Sequence, residues 1–217
     1  VSKNSLSDFI SPIIDFLSSI GINFFGSDTV SAGFGLFNAG GIIFMIIGIG
    51  LSKMLADKYG KRNVFRVFLF ISTLFILVFY VLSPDSINLI FGAQIFHGFF
   101  YGITIPLLWA MIADVADYSE WKNNRRATAI IFSAMMVGLK LGLSIGGALV
   151  ASILGSYGYV PNSVGEQTES AILGTKMLVS IFPSIPFLVA AALLFFYVID
   201  KKMEEKIEKD LLKKRKS

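Results

Sequence analysis

The stretch Ala127–Leu154, ATAIIFSAMMVGLKLGLSIGGALVASIL, decides the fold. It is 28 residues long and carries one charge, Lys140, near its middle. A bilayer hydrocarbon core about 30 Å thick is crossed by ~20 helical residues, so this segment reads as a membrane-spanning helix. An ammonium at that depth costs at least ~2.5–3.5 kcal/mol, and Lys140 stands too far from either end to snorkel out. It calls for a carboxylate, a wet cavity, or both. At 100° per residue, Ser133, Ser144 and Gly147 fall within about 40° of Lys140, and Gly138, Gly142 and Gly146 fall on the opposite side. One face is therefore read as a polar stripe along an aqueous path. The other is read as a small-residue seam for close helix packing. The plainer alternative is a Lys neutralised by a local ion pair, with no further role.

Four more apolar blocks extend the pattern: Val30–Ser52, Val67–Leu82, Ile87–Ala113 and Met177–Ile199. The shortest borrows the stem of Arg66 and the residues after Asn63. The expected helices are about 30–52, 64–82, 87–113, 127–154 and 177–199, an all-α membrane protein with five transmembrane helices. Composition agrees. The 217 residues are 54% hydrophobic and only 16% charged, with mean hydropathy +0.71, against roughly 25% charged in a soluble domain. That excludes an ordinary soluble enzyme, a disordered chain and a nucleic-acid binder. Without Cys, disulfides, thiolate zinc sites and thiol catalysis are excluded, and one His rules out a multi-His metal site.

The Lys and Arg set the expected orientation. Lys53, Lys58, Lys61, Arg62 and Arg66 lie between the first two spans. Lys122, Arg125 and Arg126 lie between the third and fourth, and eight more follow the fifth. The alternate segments hold only Lys3 and Lys176. The C-terminus is thus expected in the cytoplasm and the N-terminus outside. A chain of five spans beginning outside is expected to be a fragment of a larger membrane protein. Lys140 supports the same expectation: every Asp and Glu lies in a loop or at a helix end, so its carboxylate is sought outside this chain.

Residues 1–29 form an expected extracytoplasmic amphipathic segment, with Leu6, Phe9, Ile10, Ile13, Leu17 and Ile20 at helical spacing. Ser11-Pro12 reads as its start and Gly21 as its stop. Glycines of the first span, Gly33, Gly35, Gly40, Gly41, Gly48 and Gly50, suit close helix approach. Pro106, Pro183 and Pro186 are expected to kink their helices. Gly155–Lys176 is an outer loop with turns at Gly158 and Pro161-Asn162. Residues 200–217 are a basic tail whose stripe Met203, Ile207, Leu211 is expected to rest on the anionic inner leaflet.

Other candidate residues follow from position. His97 is near the middle of the third span, with Gln94, Tyr101 and Thr104 within about 60° of it. These groups can hydrogen-bond a hydroxylated solute, and Tyr101 or Trp109 can stack on a sugar ring; alternatively they only bind neighbouring helices. The loop Ala113–Arg126 alternates Asp114, Asp117 and Glu120 with Lys122, Arg125 and Arg126 around Tyr118 and Trp121. It reads either as half of a salt-bridged gate or as solvated surface. Asp57, Lys58 and Arg62 read the same way beside Gly60, which fits a tight turn.

Asp57-Lys58-Tyr59-Gly60-Lys61-Arg62 resembles the cytoplasmic loop signature of the major facilitator superfamily, although Lys53 stands where that signature usually has Gly. A second run is more specific: Ala-Asp-x-x-Asp-Tyr-x-Glu-Trp-Lys from Ala113, then Lys140-Leu141-Gly142, Gly146-Gly147-Ala148 and Gly158-Tyr159-Val160-Pro161-Asn162. It is similar to the glycoside–pentoside–hexuronide cation symporters, the group of the melibiose carrier. The resemblance covers about Phe25 to Ile199 and implies helices 8 to 12 of a twelve-helix carrier, a partial C-terminal six-helix bundle. It implies uptake of a sugar or glycoside with Na⁺ or H⁺ by alternating access between two six-helix halves. No other cofactor is implied. The cation-binding and main sugar-binding carboxylates would lie in the N-terminal half, the chain's expected partner, and Lys140 matches the mid-helix lysine near them. A segment like 1–25 has no counterpart in the melibiose carrier. The expected site is then Lys140, Ser144, Ser133, His97, Tyr101, Gln94, Thr104 and Trp109 along the pathway. Asp57, Lys58, Arg62, Asp114, Asp117, Glu120, Arg125 and Arg126 would form the cytoplasmic gate. A cell-membrane location follows. Rival readings are a facilitator carrying a non-sugar solute and a non-transporting scaffold subunit. A membrane enzyme is the weakest, because no span holds an Asp pair, a Ser–His dyad or a metal set.

Overall fold

The computed structural model describes residues 3–20, 29–161 and 167–216. Among them are eight α-helices and no strand: α1 Lys3–Ser19, α2 Thr29–Tyr59, α3 Lys61–Val81, α4 Ile87–Asn123, α5 Thr128–Ser156, α6 Glu169–Val179, α7 Ile181–Leu193 and α8 Lys201–Lys216. Helices α2, α3, α4 and α5, and α6 with α7 taken as one segment, are long and apolar enough to cross a membrane.

The bundle is organised by α4, which packs along α2 and α3. Glycine sets the α2–α4 distance. A Cβ on Gly98 would fall on the Gly41 carbonyl oxygen, one on Gly102 on that of Met45, and one on Gly48 on that of Phe99. Backbones meet directly there, as small residues allow in a medium where apolar burial alone does not drive helices together. Of the first-span glycines, Gly41 and Gly48 carry this seam, whereas Gly50 faces open space. Further along, Ala56, Val64, Phe65, Leu69, Ile103, Leu107, Met111 and Ala191 form the main core between α2, α3, α4 and α7.

Several boundaries differ from the sequence expectation. Helix α4 does not stop at Ala113 but runs to Asn123, ending at Asn124 in the left-handed conformation with φ 54°. At 1.5 Å per residue its 37 residues span ~55 Å, well beyond the hydrocarbon core. The charged run expected as a loop is therefore its projecting end. Asp114, Asp117 and Glu120 recur every three residues, a spacing a helix carries without strain. The fifth span begins at Glu169, where the Thr168 hydroxyl caps the helix by accepting from Ala171 N at 3.2 Å, and it ends at Leu193 rather than Ile199. It breaks at Ser180, φ −129° and ψ −75°. Pro183 cannot donate to Val179 and its ring crowds that carbonyl, which explains the break just upstream.

The amphipathic first helix starts at Lys3, with Pro12 inside it rather than at its first turn. Its apolar stripe keeps it helical through the proline: Ile10 is buried, Leu6 lies against Gly33, and the Phe9 and Phe91 rings are 4.8 Å apart. Gly21 and Asn162, expected at a stop and a turn, lie outside the described residues. Gly60, φ 84°, makes the α2–α3 turn, and Gly158, φ 73°, the turn after α5; both occupy a region that glycine enters without penalty.

Candidate functional site

The polar residues of the spans fall on two separate surfaces. The first is α5. None of its residues is buried, and Lys140, Ser133 and Ser144 are all exposed along it. No group lies within 4 Å of a Cβ built on Gly138, Gly142 or Gly146. Both faces read from the sequence, the polar stripe and the glycine seam, are thus open surface among the described residues. Helix α5 is held through α4 and α6.

The second surface is a cleft of about 900 Å³ between α3, α4 and the α6–α7 segment. Gln94, His97 and Tyr101 line it. His97 Nδ1 is 2.9 Å from Ser72 Oγ and 3.2 Å from the Ser72 carbonyl oxygen. With Nδ1 protonated the ring donates to that carbonyl; with Nδ1 bare it accepts from the hydroxyl. The Tyr101 ring stacks on His97 at 5.8 Å and leans on Phe187 at 5.8 Å. Thr104 and Trp109 are elsewhere. The buried Thr104 hydroxyl donates to Tyr101 O at 2.7 Å, and Trp109 is exposed on another face of α4. The structure thus brings Gln94, His97 and Tyr101 together and leaves Lys140 on a different wall of the molecule.

At the Lys- and Arg-rich end, charge ties four elements. Lys61 Nζ donates to both Asp114 oxygens at 2.6 and 2.7 Å and pairs with Glu204 at 3.0 Å, joining α3, α4 and α8. Burial pushes the Asp114 carboxyl above the usual carboxylate range, against the pull of Lys61. Burial alone would lower Lys61, but its bonds to Asp114 and Glu204 outweigh that and hold the ammonium above its ordinary value. Arg62 Nη1 donates to Tyr197 O at 3.1 Å, while its Nε is buried without a partner among the described residues. Tyr197 donates to Met111 O at 3.2 Å, and Lys201 to Asp57 O at 2.6 Å.

Helix α8 also closes over the α4 projection. Ile199, Ile207 and Leu211 are buried against Val115, Tyr118 and Trp121, and Trp121 Nε1 donates to Asp210 at 3.0 Å. This corrects the expectation that the tail's apolar stripe rests on lipid: a protein surface covers it, because α4 continues far enough to meet it. Of the remaining expected gate residues, Asp117 lines a small cavity with Glu204 and Glu208, Glu120 pairs with Arg126 at 3.7 Å, and Asp57, Lys58 and Arg125 present exposed side chains. Lys61, Glu204, Tyr197 and Ser72 were not among the expected site residues. Lys61 and Glu204 carried a signal, an excess of charge on both sides of Asp114; Ser72 carried none in an apolar helix.

Comparison with known proteins gives the class. The family described as MFS/sugar transport protein matches residues 15–201. The chain is 32% identical over 171 residues to the uncharacterized symporter YjmB of Bacillus subtilis, covering 77% of this chain and 36% of that protein. It is 30% identical over 176 residues to a glucuronide carrier protein homolog of Escherichia coli, covering 79% and 38%. To the isoprimeverose transporter of Lactiplantibacillus pentosus it is 29% identical over 198 residues, covering 91% and 41%. The chain belongs to the MFS/sugar transport family, a family of transporters and not of enzymes. It spans about two fifths of the length of these relatives.

Proposed function

We propose that this chain forms the C-terminal bundle of a carrier that takes up a sugar or glycoside together with Na⁺ or H⁺ by alternating access. The observation that carries the reading is α5: a lysine in mid-span, flanked by Ser133 and Ser144, on a helix with no buried residue. A charge at that depth is tolerated only beside water or an anion. A second six-helix half, set against α5, supplies both. Lys140 is then the positive partner of the carboxylates that bind the cation. Residues 1–29 lie outside, the bundle spans a cell membrane, and residues 200–217 lie in the cytoplasm. There the Lys61–Asp114–Glu204 node stiffens the ends of α3, α4 and α8, while exposed Asp57, Lys58 and Arg125 are available to meet the other half when the inner gate closes.

The test is gradient-driven uptake by the full-length protein in membrane vesicles. Radiolabelled β-glycosides, pentosides and glucuronides are offered with an imposed Na⁺ or H⁺ gradient. Accumulation that collapses when the gradient is dissipated supports the reading. Uptake of none of these solutes, or uptake indifferent to both ions, refutes it.

A further inference from the structure

The cleft between α3, α4 and the α6–α7 segment has the wrong chemistry for a sugar. A sugar needs many uncommitted donors and acceptors, and here most polar wall groups already serve the protein. His97 is bonded to Ser72, the Thr175 hydroxyl donates to Ala171 O at 2.9 Å, and the Gln167 amide is bonded to both Val160 N and Val160 O. Beside the Gln94 amide and the Tyr101 and Tyr159 hydroxyls, the rest of the wall is carbon, chiefly Phe37, Phe79, Ile76 and Phe187. The exposed Ile172 and Val179 stand on its rim, so it opens along the outer surface of α6.

Its length and its mouth indicate the occupant. From Ile90 to Tyr101, eleven helical steps along α4, the wall runs ~16 Å, close to half the ~30 Å hydrocarbon core, which is one leaflet. At the end next to the α3–α4 turn sits Lys176. Its Nζ donates to Leu82 O at 3.3 Å and lies 5.6 Å over the Tyr80 ring, and no carboxylate among the described residues forms an ion pair with it. Tyrosines at the level of a headgroup are a common feature of membrane proteins, and Tyr80 and Tyr159 stand at this end. We infer that the cleft seats an acyl chain of an anionic phospholipid from the surrounding bilayer, with its headgroup phosphate on Lys176. Acyl chains are as apolar outside the cleft as within it, so the headgroup sets the preference and one near-surface lysine gives about fivefold.

Native mass spectrometry of the full-length protein, released from nanodiscs of equimolar phosphatidylglycerol and phosphatidylcholine, tests this. The wild type retains phosphatidylglycerol over phosphatidylcholine by about fivefold. Lys176→Ala removes the preference and Lys176→Arg keeps it. Val179→Trp, which fills the cleft from its rim, lowers the retained lipid of either headgroup, while Leu173→Trp, also exposed but off the cleft, does not. Equal retention of the two lipids by the wild type, an undiminished preference in Lys176→Ala, or full retention by Val179→Trp overturns the inference. So does displacement of the lipid by a glycoside, which would make the cleft a solute site.

Discussion

Lys61 Nζ lies 2.6 Å from Asp114 Oδ1, although 53 residues separate the two in the chain. Both side chains are largely shielded, and Glu204 completes the set from α8. Removing one member strands the others in a place already costly for charge. Lys61→Met is expected to destabilise the bundle more than Lys61→Met with Asp114→Leu. A double-mutant cycle on detergent unfolding should give a coupling of ~0.5–3 kcal/mol. Additive effects would show the pair to be incidental.

The glycine seam makes a sharper steric prediction. Gly102→Ala places a methyl on the Met45 carbonyl oxygen, a backbone atom that cannot step aside. Overpacking of this kind costs about 1–3 kcal/mol, and a lowered thermal midpoint in detergent should report it. Gly138→Ala, with open space around its Cβ, should be neutral or gain up to ~1 kcal/mol from helix propensity. Equal effects at the two sites would contradict the packing described for α2 and α4.

Helix α8 is held by its buried stripe more than by its charges. Ile207→Asp puts a carboxylate among Val115, Tyr118 and Trp121 and should release the helix. In a Trp109→Phe background, Trp121 emission should shift to the red and backbone amides of residues 201–214 should exchange faster with deuterium. Lys213→Ala, with an exposed side chain, should do neither. Unchanged exchange in Ile207→Asp would mean that α8 is anchored elsewhere.

The spans were legible because their signal is length and apolarity, which a bilayer reads one helix at a time. Gly60 and Gly158 were legible because a positive φ singles out glycine. What the sequence concealed depends on partners. The Asp114–Glu120 run has the polarity of a loop, and only a covering helix explains why it continues α4. Ile207 and Leu211 look the same whether lipid or Trp121 covers them. Gly98-x-x-x-Gly102 carries a close-approach spacing, but it draws meaning only from Gly41 and Met45 opposite. His97 shared a face with Gln94 and Tyr101 as the helical period requires. No periodicity, however, tells whether that face meets solute or the hydroxyl of Ser72.

The central claim is that Lys140 answers an anion across the transport path, and coupled uptake by the full-length protein measures it most directly. With Lys140→Ala or Lys140→Cys, expressed at the wild-type level, ion-driven glycoside accumulation should fall by at least tenfold, the factor that ~1.4 kcal/mol commands, while Ser152→Ala on the same helix leaves it intact. Wild-type accumulation with unaltered ion dependence in the Lys140 variants would contradict the account.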